Sequence, residues 1–263
     1  MRIFFAASMI FLSLPLAAQQ GLIPLLVSDH HADHLEFLLR HGAGLPAALL
    51  VVDAHADTGY NEGHSKMRAG ELAGNHNWIH PLSPVPLVFL AWISTMQGAA
   101  RGDKLEGFYK STAAWSSGIR AVSISLRELP FLEIREEKLF ISVDLDFFYS
   151  EDHRPEDVPG VLDALFSFSN RHQGPVAWAI CLSRPWLPGD SYAWTLLEKS
   201  LAWLVSRPEF AAPEITLFES RRVDTSWNAR AFRAEGRKIP ALREADAPAP
   251  VMGLIQELLE RRQ

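Results

Sequence analysis

The thiol is the scarcest side-chain group in this chain: one cysteine, Cys181, in 263 residues. A lone thiol forms no intramolecular disulfide and cannot build the paired Cys-x-x-Cys knuckles of a structural zinc site. It lies in an apolar, strand-like run at 176–182, where a small buried hydrophobe is expected rather than a nucleophile. The chain also lacks a Gly-x-Ser-x-Gly elbow and a Gly-rich phosphate loop. Basic charge is short as well: 25 Lys+Arg stand against 31 Asp+Glu, a formal charge of -6, so there is no electrostatic footprint for nucleic acid.

Long apolar runs are missing too. The longest begins the chain, where Met1-Arg2 precedes an apolar stretch at 3–16 and then Ala17-Ala18. That stretch falls short of the roughly 20 residues a membrane span needs, and the pattern reads as a secretory leader. We expect cleavage after Ala18 and export to the periplasm or beyond. Leu16 departs from the small residue usual three positions before the cut. The remainder, 19–263, is long enough for one α/β domain with a full core.

What the chain does have is acid at the ends of apolar segments. Asp53-Ala54-His55-Ala56-Asp57 follows the run 47–52, and Ser142-Val143-Asp144-Leu145-Asp146 follows 139–141. In extended chain alternate residues share a face, so Asp53, His55 and Asp57 are expected together, as are Asp144 and Asp146. Four crowded aspartates repel one another unless cations lie between them, and two divalent ions neutralise four carboxylates. A third element, Asp29-His30-His31, sits between the apolar run 24–28 and an amphipathic segment at 32–41 that Gly42 is expected to stop. Taken singly, each motif is compatible with a solvated loop. Together they point to one oxygen-rich centre, unlike the closed, sulfur-rich sites that serve structure. By ligand softness that donor set favours two manganese ions, with iron or cobalt as alternatives.

The surrounding pattern alternates. Strands are expected at 22–28, 47–53, 118–125, 138–144, 176–182 and 214–218. Helices are expected at 32–41, 87–97, 104–115, 156–170, 192–206 and 251–262. Such alternation implies a three-layer α/β domain, a mostly parallel sheet with helices on both faces. Ligands in such sheets gather at the carboxyl ends of strands, where the acidic motifs fall. The polar stretch 58–86 is a candidate substrate wall; within it Asn75-His76-Asn77-Trp78 combines amide, imidazole and aromatic groups.

The order Asp-His before a helix, then Asp-x-His-x-Asp, then Ser-x-Asp-x-Asp resembles the arginase and agmatinase (ureohydrolase) superfamily. Through Asp29-His30-His31, Asp53 to Asp57, Asn77-Trp78-Ile79 and Ser142 to Phe148, it more closely resembles the peptide arginase family. The resemblance covers most of the chain after the leader and is carried by its motifs. It differs where ureohydrolases usually have Gly-Gly before their Asp-His, since Val27-Ser28 stands here. The resemblance implies His30, Asp53, Asp57 and Asp144 as ligands of one metal. It implies His55 and Asp146, with bridging Asp53 and Asp144, as ligands of the other.

The same resemblance implies hydroxide attack on a guanidinium carbon, with release of urea. Asp146 would orient the nucleophile, and His76 or His80 would protonate the leaving amine. Asn77 and Trp78 would line the substrate. Glu219, or alternatively Asp224, would hold the guanidinium of a free or peptide-bound arginine. A metal-dependent amide hydrolase or deacetylase, and a metal-binding module without turnover, are the competing readings.

Overall fold

The computed structural model describes residues 22–42, 46–55, 87–95, 120–218 and 242–261. Its centre is a parallel sheet of seven strands in the order β4-β3-β2-β5-β6-β1-β7. The strands are β1 (Leu25–Ser28), β2 (Ala47–Val52), β3 (Leu87–Ile93), β4 (Arg120–Ile124), β5 (Lys138–Asp144), β6 (Val176–Cys181) and β7 (Glu214–Thr216). Four α-helices accompany them among the described residues: α1 (Ala32–Gly42), α2 (Val158–Ser169), α3 (Asp190–Val205) and α4 (Ala249–Glu260).

Strand alternation sorts the core into two layers. Leu25, Val27, Leu50, Val52, Ile141, Val143, Trp178 and Ile180 face α2, α3 and α4, packing with Leu162, Leu197 and Ile255. Their neighbours Leu26, Leu49, Val51, Phe140, Ala177 and Ala179 face the other way, against Leu35, Phe37 and Leu38 of α1. Each such Leu or Ile contributes about 1.5–3 kcal/mol relative to exposure, so the sheet is held from both sides. The arrangement is the expected three-layer α/β sandwich, and every strand pair in it is parallel.

One element differs. The run 87–97 was expected as a helix, yet Leu87–Ile93 is strand β3. Leu-Val-Phe-Leu-Ala-Trp-Ile is apolar nearly throughout, and β3 lies between β2 and β4, buried on both faces except at Val88. A strand covered on both faces reads as a continuous apolar run, so periodicity does not separate it from a buried helix. The helix expected at 104–115 lies outside the described residues, as does the leader.

Where β5 and β6 begin, the backbones come close. A Cβ at Gly174 would stand 1.9 Å from the Glu137 carbonyl oxygen, which is backbone and cannot swing aside. Gly174→Ala is therefore expected to cost about 1–3 kcal/mol by overpacking, read as a lower midpoint in urea at unchanged slope. An unchanged midpoint would contradict the close approach.

The topology also locates the site. From β2 the chain steps outward to β3 and β4, then returns to β5 beside β2 and runs the other way through β6 to β7. The β2–β5 border is the point where the strand order reverses, the usual ligand crevice of an open parallel sheet. Asp53 and Asp144 stand at the carboxyl ends of those two strands.

Candidate metal centre

Each acidic side chain is placed by a turn at a strand end. Asp53 directly follows β2; its Oδ1 accepts the His55 backbone N–H at 2.6 Å, and its own N–H donates to the Ile93 carbonyl. Trp92 of β3 donates its indole N–H to the Asp53 carbonyl at 3.0 Å, pinning the residue from the neighbouring strand. Asp144 ends β5, and its Oδ1 accepts the Asp146 N–H at 3.0 Å, opening a 3-10 turn over Leu145–Phe148. The pairs therefore converge through turns closed by carboxylate caps rather than through the extended alternation the spacing suggests. The physical reason is that strand pairing stops at Asp53 and Asp144, leaving the N–H groups of Ala54, His55 and Asp146 to be satisfied by the aspartates.

Two overlapping groups of donor atoms result among the described residues. One is His31, Asp53 and Asp144; the other is Asp53, His55 and Asp146, with donor atoms in each lying within 4.8 Å of one another. In the first, His31 Nδ1 stands 3.3 Å from Asp53 Oδ2 and 3.2 Å from Asp144 Oδ2. In the second, His55 Nδ1 is 2.9 Å from Asp146 Oδ2 and 3.6 Å from Asp53 Oδ1. Asp53 belongs to both.

The histidine in the first group is His31, where the motif resemblance implied His30. His30 belongs to neither group; its Nε2 lies 4.0 Å from Asp29 Oδ2. The junction after β1 is a tight turn in which the Asp33 N–H donates to the His30 carbonyl and the His34 N–H to that of His31. That turn carries the side chain of position 31 back over the sheet. His31 Nε2 and His34 Nδ1 meet the Ser142 hydroxyl at 2.9 and 2.8 Å, so Ser142 joins both rings one pleat before Asp144. His34, three residues on from His31, was not singled out from sequence; its spacing at the first turn of α1 was the available signal. Asp57, His76, Asn77, Trp78, His80, Glu219 and Asp224 lie outside the described residues.

The electrostatics are those of a site receptive to cations. Burial and the charges of Asp144 and Asp53 push the Asp146 carboxyl well above the usual carboxylate range, against the opposing effect of His55. Burial by itself would lower the His55 imidazole, but its hydrogen bond to Asp146 and the Asp53 carboxylate beside it outweigh burial and push it up to about 11. Burial would likewise raise Asp53, yet the imidazoles of His31 and His55 beside it draw it far below its ordinary value. His34 goes the other way, held well below its ordinary value by burial and by His31. Asp53 Oδ2 is buried and accepts no hydrogen bond. A buried carboxylate oxygen in that state costs on the order of 1–3 kcal/mol or more unless a cation takes the place of the missing donor. The donor set fits divalent ions on that ground.

A loop not anticipated from sequence closes the site on the β6 side. Ser183 donates to Asp144 Oδ2 at 2.5 Å. Arg184 grips Asp29 with Nε at 3.0 Å and Nη2 at 2.8 Å, and Trp186, 43% exposed, lies 5.1 Å ring to ring from His55. Cys181 is buried, and burial together with Asp144 raises its thiol well above the ordinary range, in keeping with an inert core residue. No helix of the described residues is long and apolar enough to cross a membrane.

No family model and no curated protein matches the chain. Among solved structures it is similar to the arginase of Helicobacter pylori, at 15% identity and a TM-score of 0.42, over 71% of this chain and 74% of that one. At that likeness, the chemistry has to come from the residues themselves.

Proposed function

We propose that the chain is a binuclear-metal hydrolase of arginase-like type, akin to the peptide arginases, acting on a guanidino group of arginine or peptidyl-arginine. The observation that carries the metal part is the pair of donor groups sharing Asp53 at the β2–β5 border. His31, Asp53 and Asp144 would hold one ion; Asp53, His55 and Asp146 would hold the other. Their oxygen-rich character suits manganese. Ions of this kind supply Lewis acidity and lower the pKa of water to near neutrality.

The protein's own groups do the rest. Asp146, tied to His55 and to the Ala54 N–H at 3.4 Å, is placed to orient the attacking water and to receive its proton. Trp186 offers an exposed ring beside His55, a surface on which a planar cation stacks favourably. The guanidino substrate is supported by the motif order, with His76 or His80 proposed as the acid and Glu219 as the guanidinium partner. Asn77 and Trp78 are proposed to line that substrate, and export through the 1–18 leader would give access to extracellular peptides.

Because the His55 imidazole and the Asp146 carboxyl are both shifted toward their protonated forms, metal binding there should compete with protons. Apparent manganese affinity should therefore rise with pH, and calorimetry in buffers of different ionisation enthalpy should show proton release at pH 7. Buffer-independent heats would contradict the assignment of these groups as ligands.

The activity test is urea release from arginine, agmatine and an arginine peptide, abolished by a chelator. His55→Ala should cut turnover at least about 100-fold, as expected where a catalytic ion is lost or misplaced. Acetate released from acetyl-lysine with no urea would move the reading to a deacetylase, and neither product to a binding module.

A further inference from the structure

Resting on the metal-centre reading, we propose that Ser183 is a positioning residue for Asp144, fixing the carboxylate oxygen that faces His31. Ser183 follows β6 by two residues and is fully buried. It has φ 49° and ψ 43°, and among the described residues it alone combines a side chain with a positive φ. Left-handed backbone at a residue other than Gly or Asn costs on the order of 1–3 kcal/mol, and a turn that needed only the backbone would use glycine. The residue is kept in that conformation from several sides. The Trp186 N–H donates to the Ser183 carbonyl at 3.0 Å, the Leu182 N–H to the Ser28 carbonyl at 2.9 Å, and Arg184 is clamped on Asp29.

What the conformation delivers is the hydroxyl. Ser183 Oγ meets Asp144 Oδ2 at 2.5 Å, while Asp144 Oδ1 is taken by the Asp146 N–H at 3.0 Å. With one donor on each oxygen, the carboxylate plane is fixed. Oδ2 keeps a second lone pair on the side where His31 Nδ1 stands 3.2 Å away. A hydrogen-bond partner that orients a ligand typically changes metal affinity by about 10–100-fold.

Two substitutions separate this role from a structural one. Ser183→Gly removes the hydroxyl and relieves the backbone; Ser183→Thr keeps the hydroxyl and, being β-branched, strains the backbone further. Manganese affinity is measured by titration, and stability by melting in the presence of chelator. The Gly variant should bind manganese about 10–100-fold more weakly while melting within about 3 °C of the wild type. The Thr variant should melt lower and bind more tightly than the Gly variant. Affinity within twofold of wild type in the Gly variant, or affinities that follow the melting order, would overturn the proposal. Asp144→Ala run in parallel keeps the two claims apart. If it binds manganese normally, the metal-centre reading itself fails; if it loses the metal while Ser183→Gly does not, only the role of Ser183 fails.

Discussion

Asp53→Asn should strip the protein of both metal ions. Asp53 contributes a donor atom to each group, whereas His31 and Asp144 serve one and His55 and Asp146 the other. The asparagine keeps the side-chain shape and an oxygen to cap the His55 N–H, so the turn after β2 should survive. What it loses is charge: one of three buried carboxylates whose mutual repulsion makes the site receptive to cations. Desalted wild-type protein is expected to hold about two manganese ions per chain, matching its two donor groups, and Asp53→Asn close to none. Asp146→Asn, which touches one group, should retain about half. Melting offers a second readout. At a metal concentration of 100 Kd the wild type gains about 2.7 kcal/mol for each site filled, and Asp53→Asn should gain nothing. Full metal content in that variant would remove the shared-ligand assignment.

Arg184→Met should destabilise the fold strongly. The Arg184 side chain is 8% exposed and that of Asp29 1%, and three short contacts join guanidinium to carboxylate in a bidentate grip. Removing the cation leaves a buried, uncompensated aspartate, which costs about 3–5 kcal/mol. For a domain of this size that corresponds to a fall in melting temperature of roughly 6–20 °C. Arg184→Met combined with Asp29→Leu should recover much of the loss, because the penalty lies in the stranded charge rather than in the missing pair. Asp29 adjoins His30 and His31, so the single variant should also loosen the first donor group and weaken manganese binding. A single variant within about 1 kcal/mol of wild type would show that the pair is solvated.

The sequence reveals the sheet and the acidic strand ends for a physical reason. Apolar runs followed by Asp-x-His-x-Asp and Ser-x-Asp-x-Asp mark where burial stops and charge begins, and the structure brings Asp53, His55, Asp144 and Asp146 together there. A choice between adjacent residues is harder. His30 and His31 differ by one position in a turn, and which ring reaches the sheet depends on the Asp33 and His34 backbone bonds and on Ser142, 111 residues away from His31. Strand β3 illustrates a second limit, since Leu87–Ile93 carries no polar face by which to tell strand from helix. Ser183 shows a third. Left-handed backbone is ordinarily signalled by Gly or Asn, and a serine there is explained only by Asp144 lying 2.5 Å from its hydroxyl.

An anomalous difference map from crystals grown with manganese is the most direct test of the central claim. Two peaks are expected at the carboxyl ends of β2 and β5, one bounded by His31, Asp53 and Asp144 and the other by Asp53, His55 and Asp146. No peak among these residues, or a peak held by His30 with His31 turned away, would contradict it.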